Sequence, residues 1–160
     1  HLSKVGTYVD QAKKAGAAIA HGGDVLDLGL GQYMGPTIIA GVKADMAVAR
    51  EEVFGPVLSV LSFDTVDEAI SIANAVDYGL SAGVWSRDFD TCMTIGRKVR
   101  AGTVWMNTFM DGTPELPFGG YRQSGLGREL GRHAVEDYTE TKALNMHIGA
   151  RTGWWMPQAK

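Results

Sequence analysis

Val57-Leu58-Ser59-Val60-Leu61-Ser62-Phe63, then Thr65-Val66-Asp67-Glu68, then Leu80-Ser81-Ala82-Gly83-Val84-Trp85, and finally Thr103-Val104-Trp105-Met106: this run decides the fold. The first, third and fourth pieces are short, apolar and rich in Val, which predicts strands. Thr65 and Glu68 have the spacing of a capping box, and the helix they open turns Ala69, Ile70 and Ala73 inward. Between the later strands, Asp88 can cap a second helix. Cys92, Ile95 and Val99 recur along it at helical spacing, and Gly102 is its expected stop. Strand, helix, strand, helix, strand with short links implies parallel strands joined by right-handed crossovers. The expected class is α/β, with a parallel βαβ-type sheet.

Working outward, Leu2, Val5, Val9 and Ala12 form one face of an opening helix that ends at Gly16. Ala17 to Ala20 predicts a strand, His21 to Gln32 a glycine-rich connection, and Met34 to Gly41 an extended segment that Pro36 confines to an edge or a strand start. Toward the other end, Gly131 to Tyr138 predicts a last short helix. Thr139 to Ile148 predicts a final strand, with Leu144, Met146 and Ile148 alternating with polar residues.

The 160 residues suit one domain or one piece of a larger one, and 45% apolar with 21% charged residues is ordinary for a globular chain. A net charge of −3 with scattered basic residues offers no general attraction to nucleic acid or to an anionic membrane. No stretch approaches the length of a spanning helix. The N-terminus reads as helix and not as a signal peptide, and a start at His1-Leu2-Ser3 without Met suggests an excised piece. One cysteine, Cys92, excludes an internal disulfide framework and fits a reducing cytoplasm. His1, His21, His133 and His147 lack metal-ligand spacing.

Two motifs carry chemistry. Glu51-Glu52-Val53-Phe54-Gly55-Pro56-Val57 sets a carboxylate, able to grip ribose hydroxyls, beside an aromatic ring able to pack on a flat heterocycle. Leu116-Pro117-Phe118-Gly119-Gly120-Tyr121-Arg122-Gln123-Ser124-Gly125-Leu126-Gly127-Arg128-Glu129 is glycine-dense and reads as a turn into a helix. Neither Gly125 to Gly131 nor Gly29-Leu30-Gly31 meets the dinucleotide fingerprint. The first has its last glycine one residue late, and the second has Met34 where a glycine is required.

Over nearly its whole length, the chain resembles the C-terminal third of the aldehyde dehydrogenase superfamily, with wording similar to betaine aldehyde dehydrogenases. The resemblance implies oxidation of an aldehyde to a carboxylate with NAD or NADP. A cysteine thiolate attacks the carbonyl, hydride leaves to the nicotinamide, and glutamate-activated water hydrolyses the thioester. Nucleophile and base lie upstream of the matching region, so the piece alone is expected to be inactive. The resemblance places Glu52 on the nicotinamide ribose, Phe54 against the cofactor and Phe118 in the aldehyde tunnel. Glu129 is either a proton relay or a first-turn carboxylate favoured by a helix dipole. The backbone carbonyls of Arg122 and Gly125 are matched to potassium ligands. Phe118 is equally an ordinary packed ring, and Cys92, on an apolar helix face, reads as a buried thiol.

Residues 1–136 would then be part of the catalytic domain, and residues 137–160 an oligomerisation strand and tail that builds a homo-oligomer (dimer or tetramer). Trp154 and Trp155 would pack on a neighbouring subunit. A non-catalytic assembly module that keeps the fold is the alternative from another class.

Overall fold

A computed structural model of the protein describes residues 1–149. Helix α1 (Leu2–Lys14) buries Val5, Val9 and Ala12, as their spacing predicts, and Gly16 turns the chain out of it at φ 93°. The chain returns as β1 (Ala18–His21), forms a small hairpin from β2 (Val25–Leu26) and β3 (Tyr33–Met34), and enters β4 (Thr37–Ala40). β4 pairs antiparallel with β1, Ile19 opposite Ile39, with a register shift between Ile19 and His21. A one-turn helix α2 (Ala47–Arg50) then leads across to β5 (Val57–Ser59), which lies parallel to β4 with Thr37 opposite Val57.

One apolar cluster unites these elements: Val5, Val9, Ala12, Ala17, Ile39, Val42, Met46, Val48 and Val53. Each large side chain withdrawn fully from water there contributes about 1.5–3 kcal/mol. Thr37 is buried with them because its hydroxyl is satisfied twice, donating to the Gly35 carbonyl and accepting from the Gly23 N–H, both at 2.9 Å.

The second half begins with α3 (Val66–Asn74). Its cap is Thr65, whose hydroxyl accepts from the Glu68 N–H at 3.2 Å. Glu68 reaches back to the Asp64 N–H at 2.8 Å, one residue earlier than a capping box would have it. β6 (Tyr78–Gly79) and β7 (Ser81–Val84) follow, then α4 (Phe89–Lys98), capped by Asp88 through the Thr91 N–H at 2.7 Å. β8 (Thr103–Met106) lies parallel to β7 in continuous register from Ser81 opposite Thr103 to Val84 opposite Met106, so β7, α4 and β8 form the βαβ unit. β9 (Tyr121–Arg122) pairs antiparallel with β6, and α5 (His133–Asp137) closes the sequence of elements. Gly102 sits where any side chain would collide with the Gly119 carbonyl, so the entry to β8 is a close backbone approach.

The single parallel sheet expected from the three strands is therefore divided. β5 joins β4, while β7 and β8 pair with each other, and the antiparallel β1 makes the first sheet mixed. The crossover carrying α2 lets β4 and β5 pair in parallel, an option invisible in a scan of the later strands alone. α4 stops at Val99, short of Gly102, and Ala73 on α3 is exposed and not core-facing. The expected strand Thr139 to Ile148 pairs with no described strand. Leu144, Met146 and Ile148 are 84–90% exposed, because alternation supplies a face but no hydrogen-bonding partner. Trp154 and Trp155 lie outside the described residues.

Candidate cofactor and substrate site

The chain leaves α2 extended at Glu51, which has φ −105° and ψ 155°. Val53 is its anchor in the core. Gly55 allows the close approach to α1, since a Cβ there would meet the Val5 methyls at 2.8 Å. Glu51 accepts a hydrogen bond from the Tyr8 hydroxyl at 2.8 Å. Glu52 is exposed, and among the described residues nothing hydrogen-bonds its carboxylate. It borders a cleft of about 510 Å³ together with Glu51, Tyr78, Arg100, Gln123 and Ser124.

Phe54 adopts φ 55°, a left-handed conformation that a bulky residue holds only where its surroundings enforce it. His1 is one of those surroundings. Its Nε2 lies 2.6 Å from the Phe54 carbonyl oxygen, and the two rings meet edge to face with centroids 6.3 Å apart. The Phe54 ring is 75% exposed. It borders a separate cleft of about 200 Å³ with His1, Val5 and Met34, so Glu52 and Phe54 do not line one cavity within this chain.

The second motif folds onto itself. Phe118 and Glu129 exchange both backbone hydrogen bonds at 2.7 Å, which joins the two ends of the glycine-rich stretch. The half-buried Phe118 ring stands between two clefts. One, of about 380 Å³, is apolar and bounded by Trp105, Met110, Leu116 and Leu130. The other, about 520 Å³, carries Arg128, Glu129 and Tyr138. Glu129 is not in the first turn of a helix, because α5 begins only at His133, so its helix-dipole reading falls away. Leu80 and Ser124 line both the Glu52 cleft and the Glu129 cleft, and the two therefore share a wall.

Arg122, at φ 53°, holds its strand to α3 by donating from Nη1 to the Asn74 carbonyl at 3.1 Å and to the Val76 carbonyl. Gly125, at φ 123°, lies exposed in the turn that follows. Sequence reasoning passed over two residues of this site. Tyr8 is one. The other is Arg128, whose guanidinium donates to the Gly120 carbonyl at 3.0 Å and lies 5.6 Å from the Tyr121 ring centroid. Their only signal was an aromatic at the margin of a buried helix face and a cation inside a glycine-rich turn.

Residues 1–144 match the model of the aldehyde dehydrogenase family. The chain belongs to that family. It is 42% identical to an aldehyde dehydrogenase of Emericella nidulans over 148 residues, covering 92% of this chain and 30% of the relative. The NAD-dependent aldehyde dehydrogenase of Sinorhizobium meliloti superposes with a TM-score of 0.89 at 47% identity, over 98% of this chain and 31% of that one. Betaine aldehyde dehydrogenase of Staphylococcus aureus, in complex with NAD+, superposes with a TM-score of 0.81 at 42% identity, over 86% and 28%. The chain thus spans about 30% of the length of the curated relatives it matches.

Against this family background, Cys92 takes the place of a packed thiol. It is 3% exposed on α4, with Sγ 3.8 Å from the Ser86 carbonyl oxygen, and it borders none of the clefts described above. The carbonyls matched to potassium belong to Arg122 in β9 and Gly125 in the exposed turn after it. Among the described residues, no group of three or more His, Cys, Asp or Glu could hold a metal ion. No described helix is long and apolar enough to cross a membrane.

Proposed function

We propose that this chain works as part of an NAD-dependent aldehyde dehydrogenase, supplying the ribose-binding carboxylate and one wall of the aldehyde tunnel. The observation that carries the reading is the shared wall at Leu80 and Ser124, which sets the cleft of Glu52 beside that of Phe118 and Glu129. A cofactor and an aldehyde must lie side by side for a hydride to pass between them.

Glu52 fits the role because its carboxylate is exposed and unengaged, free to accept from two ribose hydroxyls. Phe54 offers an open ring face on a backbone held in place by His1. NAD, when bound, supplies the hydride acceptor. Phe118 borders the aldehyde, and its cleft with Trp105, Met110 and Leu116 offers that substrate an apolar wall. Glu129 borders the adjoining cleft, and in this reading it serves as a proton relay. Betaine aldehyde as substrate, use of NADP, the carbonyl ligands of potassium and a cytoplasmic setting stay within this proposal. So do the division at residue 136 and the pairing of Thr139 to Ile148 with another subunit. The exposed alternation of Leu144, Met146 and Ile148 supports the last of these.

The test uses the complete enzyme that contains this chain. Glu52→Gln weakens NAD binding by about tenfold to a hundredfold, since a hydrogen bond to a charged group is worth about 1.5–3 kcal/mol. Phe118→Ala changes the order of preference among aldehydes. Unaltered NAD affinity removes Glu52 from the site, and an unaltered substrate profile removes Phe118.

A further inference from the structure

Glu51 and Glu52 are adjacent carboxylates, and both border the same cleft. Nothing in their chemistry tells a ribose which one to choose. The difference lies in α1. The Tyr8 ring packs against the central apolar cluster, which fixes where its hydroxyl can point, and that hydroxyl donates to Glu51 Oε2 at 2.8 Å across 43 residues of sequence. α1 grips the same stretch at two further places, through Val5 against Gly55 and through His1 at the Phe54 carbonyl. Val53, between them, is buried. With Glu51 engaged by Tyr8, Glu52 is the carboxylate of the pair that has no hydrogen-bond partner among the described residues.

We propose that Tyr8 is a positioning residue that assigns the roles of the two glutamates: by engaging Glu51 it leaves Glu52 as the carboxylate presented to the ribose. The inference rests on the cofactor reading above and adds to it the group that aims the binding carboxylate. The same hydrogen bond first, then burial and the negative charge of Glu51, push the pKa of the Tyr8 hydroxyl above its ordinary value, consistent with a protonated donor to Glu51.

The experiment measures NAD dissociation constants, the kcat and KM split, and thermal stability in the complete enzyme. Tyr8→Phe, Glu51→Ala, their double variant and Glu52→Gln are compared with the parent. Tyr8→Phe and Glu51→Ala, each of which removes the bond, should each weaken NAD by about threefold to tenfold, with kcat at saturating NAD little changed. The double variant should lose no more than either single one, because one bond accounts for both. Glu51 is exposed, so its variant reports even if Tyr8→Phe fails to fold. A double variant whose loss is the product of the single losses overturns the proposal. Single variants that lower the melting temperature without moving NAD affinity overturn it too, as a merely structural bond would do. If Glu52→Gln weakens NAD while Tyr8→Phe and Glu51→Ala do not, the positioning role alone is lost. If Glu52→Gln has no effect, the cofactor reading falls and the proposal with it.

Discussion

In the first half of the chain Val5, Val9, Ala12, Ile39 and Val53 close on one another in a single cluster; in the second, Ile70, Val84, Cys92 and Ala101 are buried outside it. The second half also leaves Trp85, Phe89, Phe109 and Met110 more than half exposed. The first half therefore has the packing of a scaffold, rigid enough to hold Phe54 in a left-handed conformation and Glu51 on Tyr8. The second half has the surfaces of a part. Both halves expose large apolar side chains, Leu30 and Phe54 in the first among them, but among the described residues the few buried side chains of the second half join no cluster like that of the first. On the proposal made above, the remaining length of the family's enzymes covers these faces.

The largest effect expected from this contrast is the absence of catalysis. The 160-residue chain should reduce no NAD with any aldehyde, because its one thiol is buried on α4 and borders none of the clefts described above. NADH absorbance under a panel of aldehydes checks this. Turnover that vanishes in Cys92→Ser would give the second half a nucleophile and break the comparison.

Next in size is the core. Ile39 is 0% exposed, and Ile39→Ala should cost about 2–5 kcal/mol in chemical denaturation, the transfer loss plus a cavity. Ile70, at 8% exposure and outside the main cluster, should cost toward the lower end of that range or less. Equal losses would mean that the second half packs as tightly as the first.

The parts legible in the sequence are the local ones. The repeat of Val5, Val9 and Ala12, the caps at Thr65 and Asp88, and the β7–α4–β8 unit all depend on residues a few positions apart, and all appear where expected. What the sequence did not disclose is set by partners distant along the chain. β5 chose β4, Tyr8 found Glu51, and Phe118 paired with Glu129 before the helix that Glu129 was expected to begin. Of the candidate site, the residue types were readable. Their grouping was not: Glu52 and Phe54 are neighbours in sequence yet border separate clefts.

A smaller effect is expected from the segment after α5. If Thr139 to Ile148 pairs with another copy, a truncation ending at Tyr138 should associate less than the full 160 residues when their masses in solution are compared. Its exposed alternation of Leu144, Met146 and Ile148 is an uncovered apolar face. A monomeric long form, with nothing lost on truncation, would discard the pairing.

The smallest effect lies at the cap of α4, inside the more loosely packed half. Asp88 is exposed, and its carboxyl is held below its ordinary value of 3.8 first by the side chain of Thr91 and then by the Thr91 N–H, which donates to Oδ2 at 2.7 Å. A carboxyl whose folded value is depressed contributes stability that is fully present above its unfolded value and is lost as pH falls through the folded one. The cap therefore works at neutral pH and fades in the acid range below the ordinary aspartate value. Asp88→Ala should lower the melting temperature at pH 7 and lose that difference from the parent in acid. Asp88→Asn keeps an oxygen able to accept from Thr91 and should behave like the parent at pH 7, without the acid-dependent loss. The solvent exposure of Asp88 keeps these shifts to a few degrees at most. A difference between parent and Asp88→Ala that stays constant from neutral to acid would show that the charge of Asp88 contributes nothing to α4, and that the helix is held instead by the burial of Cys92 and the packing of α4 on β7 and β8.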